Sequence, residues 1–140
     1  MEKFKFLEHQ ADIKFRAQGK TINEAFENAV LAVSSYLSQD KKVKKVKKKL
    51  IEISSNDNES LLYQFVDEII YLLDAEKFIP SQAKVNIESG NLRAEILGDD
   101  SKNYNIKQIK AATYADIYVK KVKDGKGKKE VWEIQMVLDV

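Results

Sequence analysis

From Ile22 to Leu37 apolar side chains recur every three or four residues, at Ile22, Ala25, Phe26, Ala29, Val30, Val33 and Leu37, while Asn23, Glu27 and Asn28 fall elsewhere. That period belongs to an amphipathic helix with one buried face. Thr21 followed by Glu24 has the capping-box spacing, in which each side chain reaches the other residue's free backbone N–H. The change of period on the N-terminal side then limits the fold class. Phe4 and Phe6 alternate with Lys3 and Lys5, and Ile13, Phe15 and Ala17 alternate with Lys14, Arg16 and Gln18 until Gly19. Two short strands therefore precede the helix.

The same switching continues downstream. Leu50 to Ile53 favours a strand, and Asn56 or Asp57 is placed to cap a second helix whose stripe is Leu61, Leu62, Phe65, Val66, Ile69, Ile70 and Leu73. This second helix is expected to be the more buried of the two. Pro80 marks the start of the following strand. Ala83–Glu88 and Leu92–Ile96 alternate around Ser89-Gly90-Asn91, a tight-hairpin signal that Gly98-Asp99-Asp100 closes. Ile117 and Val119 begin a strand that pairs across Asp124-Gly125-Lys126-Gly127 with Val131–Leu138. Two amphipathic helices packed on antiparallel-rich β-sheets make an α+β fold. At 140 residues the chain, 1–140, is the size of a single domain. Strand order is not legible at this level.

Composition removes several functional classes. There is no cysteine, which excludes disulfides, thiolate metal sites and cysteine nucleophiles. No apolar run approaches the ~18 residues of a membrane span, so a cytoplasmic protein with no membrane partner is expected. A formal charge of only +2 disfavours bulk electrostatic binding of nucleic acid. Seven lysines nevertheless fall between Lys41 and Lys49, leaving the rest of the chain net acidic. Such a run can grip RNA phosphates or an acidic protein face; it can also be a solvated strand edge on which lysines block aggregation. None of the five glycines sits in a phosphate-binding loop followed by Lys-Ser or Lys-Thr.

The residues able to carry chemistry lie at the two ends. Asp12 opens the Ile13 strand just after His9, and the chain closes on Leu138-Asp139-Val140. If the last strand ends beside the Ile13 strand, Asp12, Asp139 and the terminal carboxylate of Val140 converge as oxygen ligands for a hard cation such as Ca²⁺, Mg²⁺ or Mn²⁺. The alternative is an Asp12 that turns the chain and a terminus that is simply solvated. His9 is the only histidine, which excludes a multi-histidine zinc site. No serine lies in a nucleophile elbow that His9 could serve. Lys110, Thr113 and Tyr114 form a polar stretch before a strand. Tyr36, Tyr63 and Tyr71 fall at helical positions and do not build a base-stacking platform.

In chain order, His9-Gln10-Ala11-Asp12-Ile13, Gly19 to Ala29, Glu59-Ser60-Leu61-Leu62, Ile109 to Tyr114 and Asp139-Val140 together resemble the archease family. The resemblance spans nearly the whole chain. It implies an archease-like α+β domain and a non-enzymatic activator of the RtcB-type RNA ligase. That ligase joins RNA 3′-phosphate or 2′,3′-cyclic phosphate ends to a 5′-hydroxyl with GTP and Mn²⁺, in tRNA splicing and RNA repair. Archease-like proteins promote its guanylylation and multiple turnover. The family's metal site maps onto Asp12, Asp139 and Val140, with Ca²⁺ the first choice of divalent cation and Mg²⁺ or Mn²⁺ the alternatives. His9, Lys110 and Thr113 are the expected partner-facing residues, and tRNA or other RNA is met through the ligase. Gln10, Asp67 and Ala115 depart from the family pattern. Two other functions compete with this one: a stand-alone RNA-binding or RNA-chaperone module using Lys41–Lys49, and a metal-dependent hydrolase, for which no set of substrate-positioning groups is visible.

Overall fold

The computed structural model describes residues 2–8, 11–125, 127 and 129–140. Helix α1 spans Ile22–Ser38, and Thr21 caps it by accepting the Glu24 N–H at 3.1 Å. The return bond differs from a capping box: the Glu24 carboxylate accepts the N–H of Lys20, one residue earlier, at 3.1 Å. At the other end Gln39 and Asp40 turn left-handed, with φ of 55° and 67°. Their N–H groups bond back to the Tyr36 and Ser35 carbonyls, closing the helix. Helix α2 spans Asn58–Glu76, and of the two candidate caps Asp57 serves, accepting the Ser60 N–H at 2.7 Å.

Among the described residues seven strands form two antiparallel sheets. Strands β1 (Phe4–Leu7), β2 (Asp12–Gly19), β6 (Ala111–Lys123) and β7 (Glu130–Asp139) make a four-stranded sheet in the order β1-β2-β7-β6. Strands β3 (Lys47–Ser54), β4 (Phe78–Glu88) and β5 (Asn91–Asp100) make a second sheet in the order β3-β5-β4. The β4–β5 hairpin turns through Ser89 and Gly90 at φ of 48° and 78°. Two positive values in succession are what a two-residue hairpin loop matching strand twist demands.

Three boundaries differ from the sequence reading. Strand β4 begins at Phe78, and Pro80 sits inside it at a register shift on an edge strand, where a missing N–H is tolerated. Gly98 does not end the hairpin; β5 continues to Asp100, and a Cβ at Gly98 would collide with the Ile79 carbonyl and the Phe78 ring. Strand β6 begins at Ala111, six residues before Ile117.

The helices lie between the sheets. α1 packs on β4 from one sheet and on β2 and β7 from the other, while α2 packs on β6, β3 and β4. α1 is consequently the more deeply buried helix, contrary to the sequence expectation for α2. Phe15, Phe26, Phe65 and Phe78 are fully buried in one continuous core, and the Phe26 and Phe65 rings join the helices at 5.9 Å. Burying each such ring contributes about 1.5–3 kcal/mol. Among the described residues no helix is long and apolar enough to cross a membrane.

Candidate functional site

Strand β7 enters between β2 and β6 and runs antiparallel to both. Asp139 therefore stands opposite Asp12 on one side and Ala111 on the other. Directly opposed residues share a face of the sheet. Phe15 and Ala17 point into the core with their partners Met136 and Ile134, as does Leu138, so Asp12 and Asp139 belong to the face turned away from the helices. Asp12 is half-buried and Asp139 exposed, while Val140 packs against the edge of the core. The Lys110 N–H donates to the Asp139 carbonyl at 2.7 Å, tying the end of β7 to the start of β6.

The expected meeting of the two ends is thus present: residues 12 and 139 are ladder partners. Like charges directly opposed across a ladder are destabilising. The donors are all carboxylate oxygens, and among the described residues no group of three or more His, Cys, Asp or Glu side chains lies together. A cation here would take two side-chain carboxylates and the Val140 carboxylate, a donor set that fits a hard, oxygen-preferring ion. His9 lies outside the described residues. Lys110 is exposed beside the tip. Thr113 is half-buried; its hydroxyl donates to the Val137 carbonyl at 2.8 Å and accepts the Ala115 N–H at 3.3 Å.

Between Thr113, paired with Val137, and Tyr118, paired with Gln135, β6 bulges. Asp116 in this bulge turns left-handed at φ 54°. Bulges re-aim side chains beside functional sites. Here Tyr114 is more than half exposed, and its ring stacks on Tyr63 of α2 at 4.2 Å and 9°.

Away from the tip the same face carries a hydrogen-bonded network that sequence reasoning missed. Arg16 Nε donates to Gln135 Oε1 at 2.7 Å, and Gln135 Nε2 donates to the Asp116 carbonyl at 2.7 Å. Gln18 Nε2 and the Tyr118 hydroxyl both donate to the Glu133 carboxylate, at 2.7 and 2.6 Å. Burial first, and the Glu133 carboxylate second, push the Tyr118 phenol far above its ordinary value, so it stays a neutral donor. The alternation of Glu133 and Gln135 with apolar residues was the available signal. The pairings of Arg16 with Gln135 and of Gln18 with Glu133, more than a hundred residues apart, carried no local signal.

Residues 4–140 match the model of the Archease protein family. The chain belongs to the archease family. It is 35% identical to the protein archease of Pyrococcus furiosus over 147 aligned positions covering 100% of both chains. It is 34% identical to that of Methanosarcina barkeri, covering 99% of this chain and 97% of the relative. Among solved structures, protein 1598 of Methanobacterium thermoautotrophicum superposes with a TM-score of 0.78 at 29% identity, over 100% of both chains. An archease of Thermotoga maritima, described as a possible chaperone, shares the fold with a TM-score of 0.65 at 20% identity. It covers 96% of this chain and 94% of its own. Archease membership and the α+β sandwich of helices between sheets therefore agree.

Proposed function

We propose that this archease is a cytoplasmic, non-enzymatic activator of an RtcB-type RNA ligase, and that it acts through the tip formed by Asp12, Asp139 and the Val140 carboxylate. The observation that carries the reading is the β2–β7 register, which makes Asp12 and Asp139 partners at one end of the sheet in a chain of this family. Asp12, Asp139 and the Val140 carboxylate would hold a divalent cation, Ca²⁺ in the first instance, which would supply positive charge to offset the mutual repulsion of the carboxylates. The chain's own residues supply the platform: Lys110 anchors the end of β7 through its main-chain N–H, and its side chain is exposed for docking. Tyr114, three residues along β6 from the Ala111 that pairs with Asp139, stacks on Tyr63 and leaves its own ring more than half exposed.

Activation requires that the tip bind the GTP-accepting state of the ligase more tightly than the stalled state, since equal affinity shifts nothing. A tenfold population shift needs about 1.4 kcal/mol of such differential binding. RNA is met through the ligase.

The test is a ligation time course with limiting ligase, excess RNA bearing a 3′-phosphate, GTP and Mn²⁺. Product is expected to exceed one equivalent per ligase only when the protein is added. Asp12→Ala, shown by circular dichroism to stay folded, is expected to fall to the level without protein. Wild-type stimulation by that variant would remove the tip from the mechanism, and no stimulation by wild type would remove the activator reading.

A further inference from the structure

Of the seven lysines from Lys41 to Lys49, Lys44 lies close enough to Asp99 to act on its charge, and the other six divide into two groups that do different things. Lys47, Lys48 and Lys49 lie in edge strand β3 and are paired, with Asp100 at 3.8 Å, Glu95 at 3.7 Å and Glu76 at 2.6 Å. They satisfy the edge-protection role of lysines on an unpaired strand. Lys41, Lys42 and Lys45 precede β3 on a non-ladder strap, and among the described residues they make no ion pair. Edge protection does not account for them.

The strap is held rigidly. Val43 is buried, its carbonyl accepts the Ser81 hydroxyl at 2.8 Å, and the Lys41 carbonyl accepts the Ser38 hydroxyl at 2.6 Å. The Lys44 N–H donates to the Tyr104 hydroxyl at 2.9 Å, and the Val46 N–H to the Gly98 carbonyl at 2.8 Å. With α1 and β4 it borders an open, shallow cleft of about 310 Å³ lined by Lys41, Lys42 and Lys45 together with Ser34, Ser81 and Gln82. Asp40 is the acid on this lining, and its carboxylate accepts the Ser35 hydroxyl.

Charge counting selects the ligand class. The C-terminal end of α1 brings about half a negative charge, and its Ser35, Tyr36 and Leu37 carbonyls already accept N–H groups from Asp40, Gln39 and Lys107. Asp40 adds one negative charge to set against three ammonium groups, so the cleft keeps an excess of roughly one and a half positive charges. A phosphate monoester carries about −1.5 to −2 near neutral pH and three strong acceptor oxygens. The Ser81 and Ser35 hydroxyls already donate, to the Val43 carbonyl and to Asp40, so the neutral donors left on the lining for such oxygens are the Ser34 hydroxyl and the Gln82 amide.

We propose that the cleft between the end of α1 and the 41–45 strap is a phosphate-binding site, taking a phosphoryl group carried either by an RNA chain or by a free polyphosphate. It is independent of the acidic tip, so its failure leaves ligase activation standing, and the reverse holds too.

The experiment compares the full chain with Lys41→Gln/Lys42→Gln/Lys45→Gln and with Lys47→Gln/Lys48→Gln as a control, each checked for native circular dichroism. A labelled short single-stranded RNA is titrated by fluorescence anisotropy from about 50 to 200 mM salt, and inorganic pyrophosphate is titrated separately by calorimetry. If RNA carries the phosphate, wild-type affinity falls with salt at a log–log slope of about −0.7 for each phosphate that the three lysines neutralise. The triple variant then loses at least about tenfold in affinity and most of that slope, while the control stays within about twofold. If free polyphosphate is the source, pyrophosphate binds wild type and the control but not the triple variant, and RNA binds none of them. Equal losses in the two variants, wild-type affinity in the triple variant, or binding of neither probe at the lowest salt would overturn the proposal.

Discussion

Glu59, in the first turn of α2, stands in for a strand that is not there. β6 is an edge of the four-stranded sheet, and the Glu59 carboxylate accepts the N–H of Val119 at 2.9 Å. Asn23 and Glu27 of α1 do the same for β4, accepting from Ile87 at 2.9 Å and Val85 at 2.8 Å. Removing such an acceptor strands a buried donor, which costs about 1–3 kcal/mol. Glu59→Ala is therefore expected to lower the unfolding free energy obtained from urea titration by that amount and to speed hydrogen exchange at the Val119 amide. Unchanged protection there would mean that the carboxylate is dispensable. These three residues also help carry the family resemblance. Their identity and helical phase are legible in the sequence, but their role is not, because it exists only once a strand is laid beside the helix.

The connection from α1 to β3 is locked to the end of β5 by two side chains. Buried Asp99 accepts the Tyr104 hydroxyl at 2.8 Å and the Asp100 N–H at 2.7 Å, while that hydroxyl in turn receives the Lys44 N–H. These bonds, the Tyr104 hydroxyl first, hold the Asp99 carboxyl below its ordinary range. A folded pKa below the unfolded one contributes stability that is complete above the ordinary carboxylate range and disappears as pH falls through the depressed value. Tyr104→Phe removes the largest cause. The gap in urea midpoint between wild type and this variant should be widest near neutral pH and close in acid. A gap that does not change with pH would assign Tyr104 a packing role alone. The sequence carries no sign of this link, since Asp99 and Lys44 become neighbours only through the β3–β5 pairing.

For the molecule as a whole, the proposed cation would bridge a residue near the beginning of the chain to the last two. A ligand that binds only the folded state adds about 2.7 kcal/mol at a hundred times its dissociation constant. Thermal unfolding is expected to move upward with the logarithm of added Ca²⁺ in wild type and to return on adding chelator. Asp139→Asn is expected to show no such rise, yet to be at least as stable as wild type in chelator, because it relieves the charge opposed to Asp12. A wild-type melting temperature that ignores Ca²⁺, Mg²⁺ and Mn²⁺ alike would take the cation out of the proposed function.

The sequence by itself determined the elements and much of their punctuation: the stripe of α1, its Thr21 cap, the Ser89-Gly90 turn, and the alternation that makes β2 and β7 strands. Those signals are local, because helical period, capping and positive φ each involve residues a few positions apart. It misjudged Pro80, Gly98 and the start of β6, where a bulge, a close backbone approach and an edge replace the ordinary pattern. Only the tertiary structure decided that the last strand enters between the second and the sixth. That choice depends on how two sheets close around two helices, a sum over many distant contacts that no short stretch encodes, and it makes residues 12 and 139 neighbours.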